Sequence, residues 1–365
     1  MSFVTVMVLF ALFVFIIFHA VRFLTAATPY RLSVERLPAS CNVGLVSFLV
    51  PAWNDGRHIA EFVESFNALT YPDKELILCA GGSDGSFQQA QRYSSNSVKV
   101  IEQRSGEGKQ SALRKSYALS KGDVIYLTDI DCRLSDDIVH ALLNTLTIAH
   151  PVVTGPIRPL QSQEDIPFVQ IQWAVGLVTQ PKTASPTQGL LGGNTVMMRD
   201  PLNNVGAFDE DVASGTDYFL AKKFTAKGIS LFFQPSQPIH TEYPETLTLY
   251  SRKQARWIRN VFILGKRFSV QNDVRASIFT MSLPVITLLC LIIAIIASAM
   301  GLGAASDFCW IISTILVLHP VLNRLRYQYS AGLPLNVGSA TAHWLGAQMS
   351  AARAIQQIVS NKWKW

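Results

Sequence analysis

Three stretches without a single charged side chain frame this sequence, and they limit its possible folds more than any other feature. Met1–Val21, Ala276–Ser306 and Phe308–Asn323 are dominated by Val, Leu, Ile, Phe and Ala. A helix of about 20 apolar residues spans the hydrocarbon core of a bilayer. The first stretch reads as a retained anchor over 1–24 rather than a cleaved leader. A leader carries positive charge before its apolar run, and here Arg22, Arg31 and Arg36 follow it. Basic residues mark the cytosolic side, so an integral membrane protein with a cytoplasmic catalytic domain is expected. The other two stretches read as a hairpin over 276–323, with Arg324 and Arg326 beyond it. From 335 to 365 the expectation is an interfacial amphipathic helix and tail. Leu345, Met349, Ala352 and Ile355 recur at helical spacing, and Trp363 and Trp365 stand beside Lys362 and Lys364.

Composition agrees with that placement. Only 15% of residues are charged, against about 25% in a soluble domain. The net charge of +6 is spread without the basic-aromatic clustering of a nucleic-acid surface, so no nucleic-acid partner is expected. Five scattered cysteines (Cys41, Cys79, Cys132, Cys290, Cys309) form no C-x-x-C, which argues for reduced, buried thiols.

Between the apolar stretches, residues 40–265 alternate strand and helix signals. Strands are expected at Leu45–Val50, ending at Pro51, and at Glu75–Ala80, Val98–Ile101 and Asp123–Thr128. Helices are expected at Ile59–Leu69, Phe87–Tyr93 and Gly108–Leu119. That alternation predicts an α/β domain with a doubly wound, mostly parallel sheet. Ligands of such sheets bind beyond the carboxyl ends of the strands, where Asn54-Asp55, Ser83-Asp84 and Asp129-Ile130-Asp131 fall. Two carboxylates in a D-x-D after a strand suit a hard divalent cation, Mg²⁺ or Mn²⁺, bridging a diphosphate. Lys109, at the opening of a helix, adds positive charge where backbone N–H groups already favour phosphate. Taken singly, a D-x-D is most often a solvated turn, Asp84 a turn residue and Lys109 a solvated helix residue.

In order along the chain these residues resemble the family 2 glycosyltransferases, inverting enzymes of GT-A fold, over about 44–260. Val50-Pro51-Ala52-Trp53-Asn54-Asp55 looks like the family's P-A-Y-N-E entry to the nucleotide pocket. Gly108-Lys109-Gln110-Ser111-Ala112-Leu113 looks like its G-K-x-x-A-L segment, and Asp129-Ile130-Asp131 like its metal-binding D-x-D. Gly192-Gly193-Asn194-Thr195 is similar to the acceptor-side loop. Gly215-Thr216-Asp217 falls where the family has E-D and its base. Thr241-Glu242-x-Pro244, followed by Arg256-Trp257, is similar to the T-E-x-P and Q-x-x-R-W motifs of membrane synthases.

The resemblance implies a nucleoside-diphosphate sugar as donor, with a UDP-sugar favoured. Pro51, Ala52, Asn54, Asp55, Asp84, Lys109 and Asp129 would contact it. Asp129 and Asp131, with His240 as a possible third ligand, would hold the metal. Asp217 would be the general base, Arg256 would pair with the diphosphate and Trp257 would stack on the sugar. Gly193, Asn194 and Lys253 would face the acceptor. The chain departs from the pattern at three places. The acidic pair after the second strand is replaced by Cys79-Ala80-Gly81-Gly82-Ser83-Asp84, the Glu before the base by Thr216, and the Gln before Arg256-Trp257 by Lys253. A basic residue there is similar to ceramide glucosyltransferases. Three apolar spans are few for a translocation channel, so a membrane lipid is the expected acceptor. A processive polysaccharide synthase and a non-catalytic subunit of a synthase complex are the alternatives.

Overall fold

The protein is described by a computed structural model covering residues 3–26 and 43–360. Arg31, Arg36, Cys41 and the Lys362–Trp365 end lie outside those residues. Along the chain run α1 (Phe3–Leu24), β1 (Val46–Trp53), α2 (Gly56–Asn67), β2 (Lys74–Gly81), α3 (Ser86–Gln91), β3 (Val98–Glu102), α4 (Gly108–Leu119), β4 (Val124–Leu127) and α5 (Asp136–Thr145). Next come β5 (Val152–Thr154), β6 (Ile157–Pro159), α6 (Pro167–Thr179), β7 (Ser185–Thr187), β8 (Thr195–Met198), α7 (Arg199–Asn204), α8 (Thr216–Ala226), β9 (Leu231–Phe233) and β10 (Ile239–Thr241). Four long helices follow: α9 (Leu247–Arg267), α10 (Gln271–Ala299), α11 (Gly303–Ser330) and α12 (Val337–Val359).

The chain divides into two compact units. One holds all ten strands with α2–α5, α7 and α8. Its main sheet has the order β3-β2-β1-β4-β8-β5-β9-β7, and β10 pairs with β6 apart from it. β1, β2, β3 and β4 are mutually parallel, as is β5 with β9, while β8 runs antiparallel between β4 and β5. This is the expected doubly wound, mostly parallel sheet. Both faces are covered, which is why β1 and β2 read as continuous apolar runs rather than alternations. Val46, Phe48, Val50 and Ala52 pack with Ile59, Phe62 and Leu142 on one face. Leu49, Ile77 and Ile125 pack with Leu113, Leu220 and Phe224 on the other.

Pro51 does not end β1, as its sequence implied. The strand continues to Trp53, with Pro51 in register with Cys79 of β2. β4 pairs only with Val46–Leu49. Pro51 therefore lies where β1 has one neighbour, and its missing N–H interrupts no second ladder.

The other unit comprises α1, α6 and α9–α12. α10 and α11 are long and apolar enough to cross a membrane. Both contain a proline, Pro284 and Pro320. α11 is much longer than the Phe308–Asn323 stretch, because a helix is held by its backbone hydrogen bonds and needs no unbroken apolar run. Exposed Phe13, Ile16 and Ile17 on α1, and Leu288, Ile293 and Ile296 on α10, leave broad apolar faces. α1 touches α11 through His19 Nε2, 3.0 Å from His319 Nδ1.

Candidate active site

β2 and β3 extend the sheet to one side of β1 and β4 to the other. The crevice beyond the carboxyl ends of β1 and β4 is thus the topological switch point, where such sheets bind ligands. Asn54 and Asp55 leave β1 there, and Asp129 and Asp131 follow β4.

The β1 side is built by side chains gripping the next loop. Asn54 adopts a left-handed backbone, φ 56°, which Asn tolerates better than most residues. Its Oδ1 accepts from the Ser83 amide at 2.7 Å. Gly82 sits against it at φ +122°, and a Cβ there would meet Asn54 Oδ1 at 2.2 Å. Asp84 Oδ2 accepts from the Gly56 amide at 2.9 Å, satisfying a free N–H at the start of α2. Its Oδ1 accepts from the Ser86 amide and hydroxyl at 3.0 and 2.6 Å. Burial works against the Asp84 charge, but the Ser86 and Gly56 donors outweigh it and hold the carboxyl below its ordinary range. Both Asp84 oxygens are thus engaged in tying the β1 and β2 ends together.

Across the crevice, Lys109 Nζ donates to Asp129 Oδ1 at 2.5 Å. Gly192 and Gly193 close the site. A Cβ on Gly192 would stand 3.3 Å from Asp217 Cβ and 3.8 Å from Lys109 Nζ, and one on Gly193 would stand 3.6 Å from Asp129 Oδ2. Asp217 lies in the first turn of α8, after Gly215 at φ 82°, and its Oδ1 accepts from the Tyr218 amide at 2.9 Å. Lys109, Asp129, Asp217 and the two glycines, scattered over about a hundred residues of sequence, thus meet at one place.

The charges there act on one another. Burial raises the Asp217 carboxyl above its ordinary range, with Lys109 opposing and Asp129 adding to the rise. Lys109 loses hydration, yet Asp129, Asp217 and Asp131 together push its pKa up. Burial and then the Asp131 charge raise Asp55 to about 6. One lysine among four carboxylates leaves an excess of negative charge. Asp129 and Asp131 put two hard oxygen donors in such a field, the donor type that would suit a divalent cation.

His240 does not complete that set. It lies in β10 with Nδ1 2.9 Å from the Pro159 carbonyl, and among the described residues no group of three His, Cys, Asp or Glu is arranged to hold a metal. Asn194 is fully buried rather than facing an acceptor. Its Oδ1 accepts from Tyr126 OH at 2.7 Å and its Nδ2 donates to the Pro156 carbonyl at 3.1 Å, so it holds β4 to the β5–β6 turn. Lys253, Arg256 and Trp257 belong to α9 in the other unit, with Lys253 and Trp257 exposed.

A supporting network escaped the sequence reading. Glu242 accepts from Arg57 Nη2 at 2.6 Å and lies 3.1 Å from His58 Nε2. Arg133 Nη2 reaches His58 Nδ1 at 3.4 Å and pairs with Glu61. It ties the start of α2, beside Asp55, to the loop after Asp131. The one available signal was Glu242 itself, within the T-E-x-P motif.

A GT-A-type sheet with a D-x-D, a lysine and a helix-borne aspartate at its switch point defines the class: a nucleotide-sugar-binding fold. Residues 47–206 match the family model described as glycosyl transferase family 2, and the chain carries a glycosyltransferase domain of that family. The chain is 22% identical over 221 residues to the poly-β-1,6-N-acetyl-D-glucosamine synthase of Staphylococcus epidermidis, covering 58% of this chain and 53% of that one. It thus spans about half the length of that relative. It is 30% identical over 101 residues to glycosyltransferase GlyG of Streptococcus pneumoniae, covering 27% of this chain and 34% of that one. Among solved structures, the mannosyltransferase PcManGT of Pyrobaculum calidifontis, in complex with GDP-Man and Mn²⁺, shares the fold. Its TM-score is 0.59 at 16% identity, over 98% of this chain and 99% of that one.

Proposed function

We propose that the chain is a membrane-bound inverting glycosyltransferase that moves a sugar from a nucleoside-diphosphate sugar, with a UDP-sugar favoured, to a membrane lipid. The observation that carries the reaction is the meeting of Lys109, Asp129 and Asp217 beside Gly192 and Gly193 at the sheet's switch point. Asp217 takes the proton of the acceptor hydroxyl as its oxygen attacks the anomeric carbon. The new bond forms as the bond to the diphosphate breaks on the opposite face, and the diphosphate leaves with the electron pair. Lys109 faces the charge that develops on the leaving group. A divalent cation held by Asp129 and Asp131 would supply further charge stabilisation there. The Arg256-Trp257 pair enters this reading through its motif alone.

The lipid acceptor is supported by α10 and α11, long and apolar enough for a bilayer. It is also supported by α9, with six basic residues and no acidic one. On this reading the catalytic domain faces the cytoplasm. The names of the synthase relatives favour a second reading, in which the product is a polymer. The test is incubation of membranes with labelled UDP- and GDP-sugars and lipid extract. Label moving with lipid supports the first reading, and label retained at the origin supports the second. Asp217→Asn is expected to abolish transfer and leave donor binding intact. Full turnover in that variant would remove Asp217 as the base.

A further inference from the structure

The helical unit contains an apolar groove of about 350 Å³ that the reaction does not use. Ile278, Met281 and Val285 line it from one stripe of α10, spaced i, i+3, i+7. Ile355 and Val359 line it from the end of α12, and Phe262 from α9. Ile278, Val285 and Val359 are about half or more exposed, so the groove is open to its surroundings. In a bilayer those surroundings are acyl chains.

A lysine borders the groove. The ammonium of exposed Lys266 lies 4.2 Å from the centre of the Phe262 ring, directly on a groove wall. Lys266 and Arg267 end α9, and Arg275 lies in the first turns of α10. α9 carries no acidic residue in its own sequence. An apolar channel with a lysine at its lip matches a molecule with a hydrocarbon tail and an anionic head.

We infer that this groove seats one acyl chain of an anionic phospholipid, with its phosphate at Lys266. The inference needs α10 and α11 to lie in a bilayer and is independent of which acceptor the enzyme glycosylates. The experiment places the full chain in nanodiscs holding phosphatidylglycerol with a photoreactive group in mid-chain, and separately the same probe as phosphatidylcholine. Crosslinks are expected at Ile278–Val285 and Ile355–Val359. The anionic probe is expected to label about fivefold more, the weight of one basic residue near an anionic surface. Lys266→Gln should erase that preference and keep the labelled positions, and Met281→Trp should crowd the middle of the groove and reduce the labelling. Equal labelling by the two lipids, or labelling spread evenly onto Leu288, Leu289 and Ile293 of the same helix, would overturn the inference. Lys266→Gln is a surface change, so it keeps the test decisive if Met281→Trp fails to fold.

Discussion

Lys109 Nζ stands 2.5 Å from Asp129 Oδ1, placing a cation on the very carboxylate whose D-x-D pattern marks it for a metal. The lysine also feels Asp217 and Asp131. It therefore couples Asp217 on α8, the proposed general base, to the carboxylates after β4 and places a positive charge in the crevice.

Replacing Lys109 by methionine keeps the stem and removes the charge. The turnover number is expected to fall by about 10²–10³-fold, the usual loss when one preorganised donor to a developing anion is deleted. Steady-state transfer of labelled sugar checks this, and unchanged turnover would separate Lys109 from the leaving group.

Chelation should silence the enzyme. With two carboxylates as its protein ligands, a cation of the Mg²⁺ or Mn²⁺ type is readily stripped. EDTA is expected to abolish transfer and added Mn²⁺ or Mg²⁺ to restore it. Asp131→Asn should raise the metal concentration needed for half-maximal activity. Activity indifferent to EDTA would leave Asp129 and Asp131 as partners of Lys109 alone.

Asn194 should behave as a structural residue. Asn194→Leu leaves the buried Tyr126 hydroxyl without its partner and takes from the Pro156 carbonyl one of its two donors, the Ile239 amide remaining, at a cost of about 2 kcal/mol. Tyr126→Phe removes only one end of one bond and should cost about 1 kcal/mol. Denaturation in detergent reads both, and a stable Asn194→Leu enzyme with a raised acceptor KM would return the residue to the acceptor side.

Glu75 gives the catalytic unit an acid-sensitive joint. Its Oε1 accepts from Ser47 Oγ at 2.7 Å and the Lys121 amide at 2.6 Å, and its Oε2 from Lys99 Nζ at 2.8 Å. Burial opposes its charge, but these donors prevail and the carboxyl titrates below its ordinary range. A depressed folded value means the stabilisation is complete above the unfolded pKa of about 4.3 and is lost as pH falls through the folded value. Glu75→Gln is expected to cost about 2 kcal/mol at neutral pH and to flatten the loss of stability between about pH 5 and 3. An unaltered acid limb in melting curves would count against this joint.

Gly81→Ala should be severe. A Cβ there would lie 2.0 Å from the Gln103 carbonyl oxygen and 2.9 Å from its carbon. That oxygen belongs to backbone and cannot swing away, so a loss of about 3 kcal/mol or more is expected. A melting temperature within a degree of wild type would show that β2 and the Gln103 segment can part freely.

Much of this was legible along the chain. Local apolar runs and helical spacing determined the β1–β4 strands and α4. Uncharged length determined which helices can cross a bilayer, and ordered motifs singled out Lys109, Asp129 and Asp217. Those properties depend on neighbours a few residues apart. Tertiary structure alone decided what each polar residue does, because a hydrogen bond or a desolvated charge depends on partners distant in sequence. Asn194 and Asp84 look like ligand contacts in a motif, yet Tyr126 and Pro156 claim the one, and Gly56 and Ser86 the other. Pro51 looks like a strand end until β4 proves too short to reach it. His240 looks like a third metal ligand, yet among the described residues no group of three such side chains is arranged for a metal. The residue types set the chemistry available, and the packing of distant segments chose which groups remain free to use it.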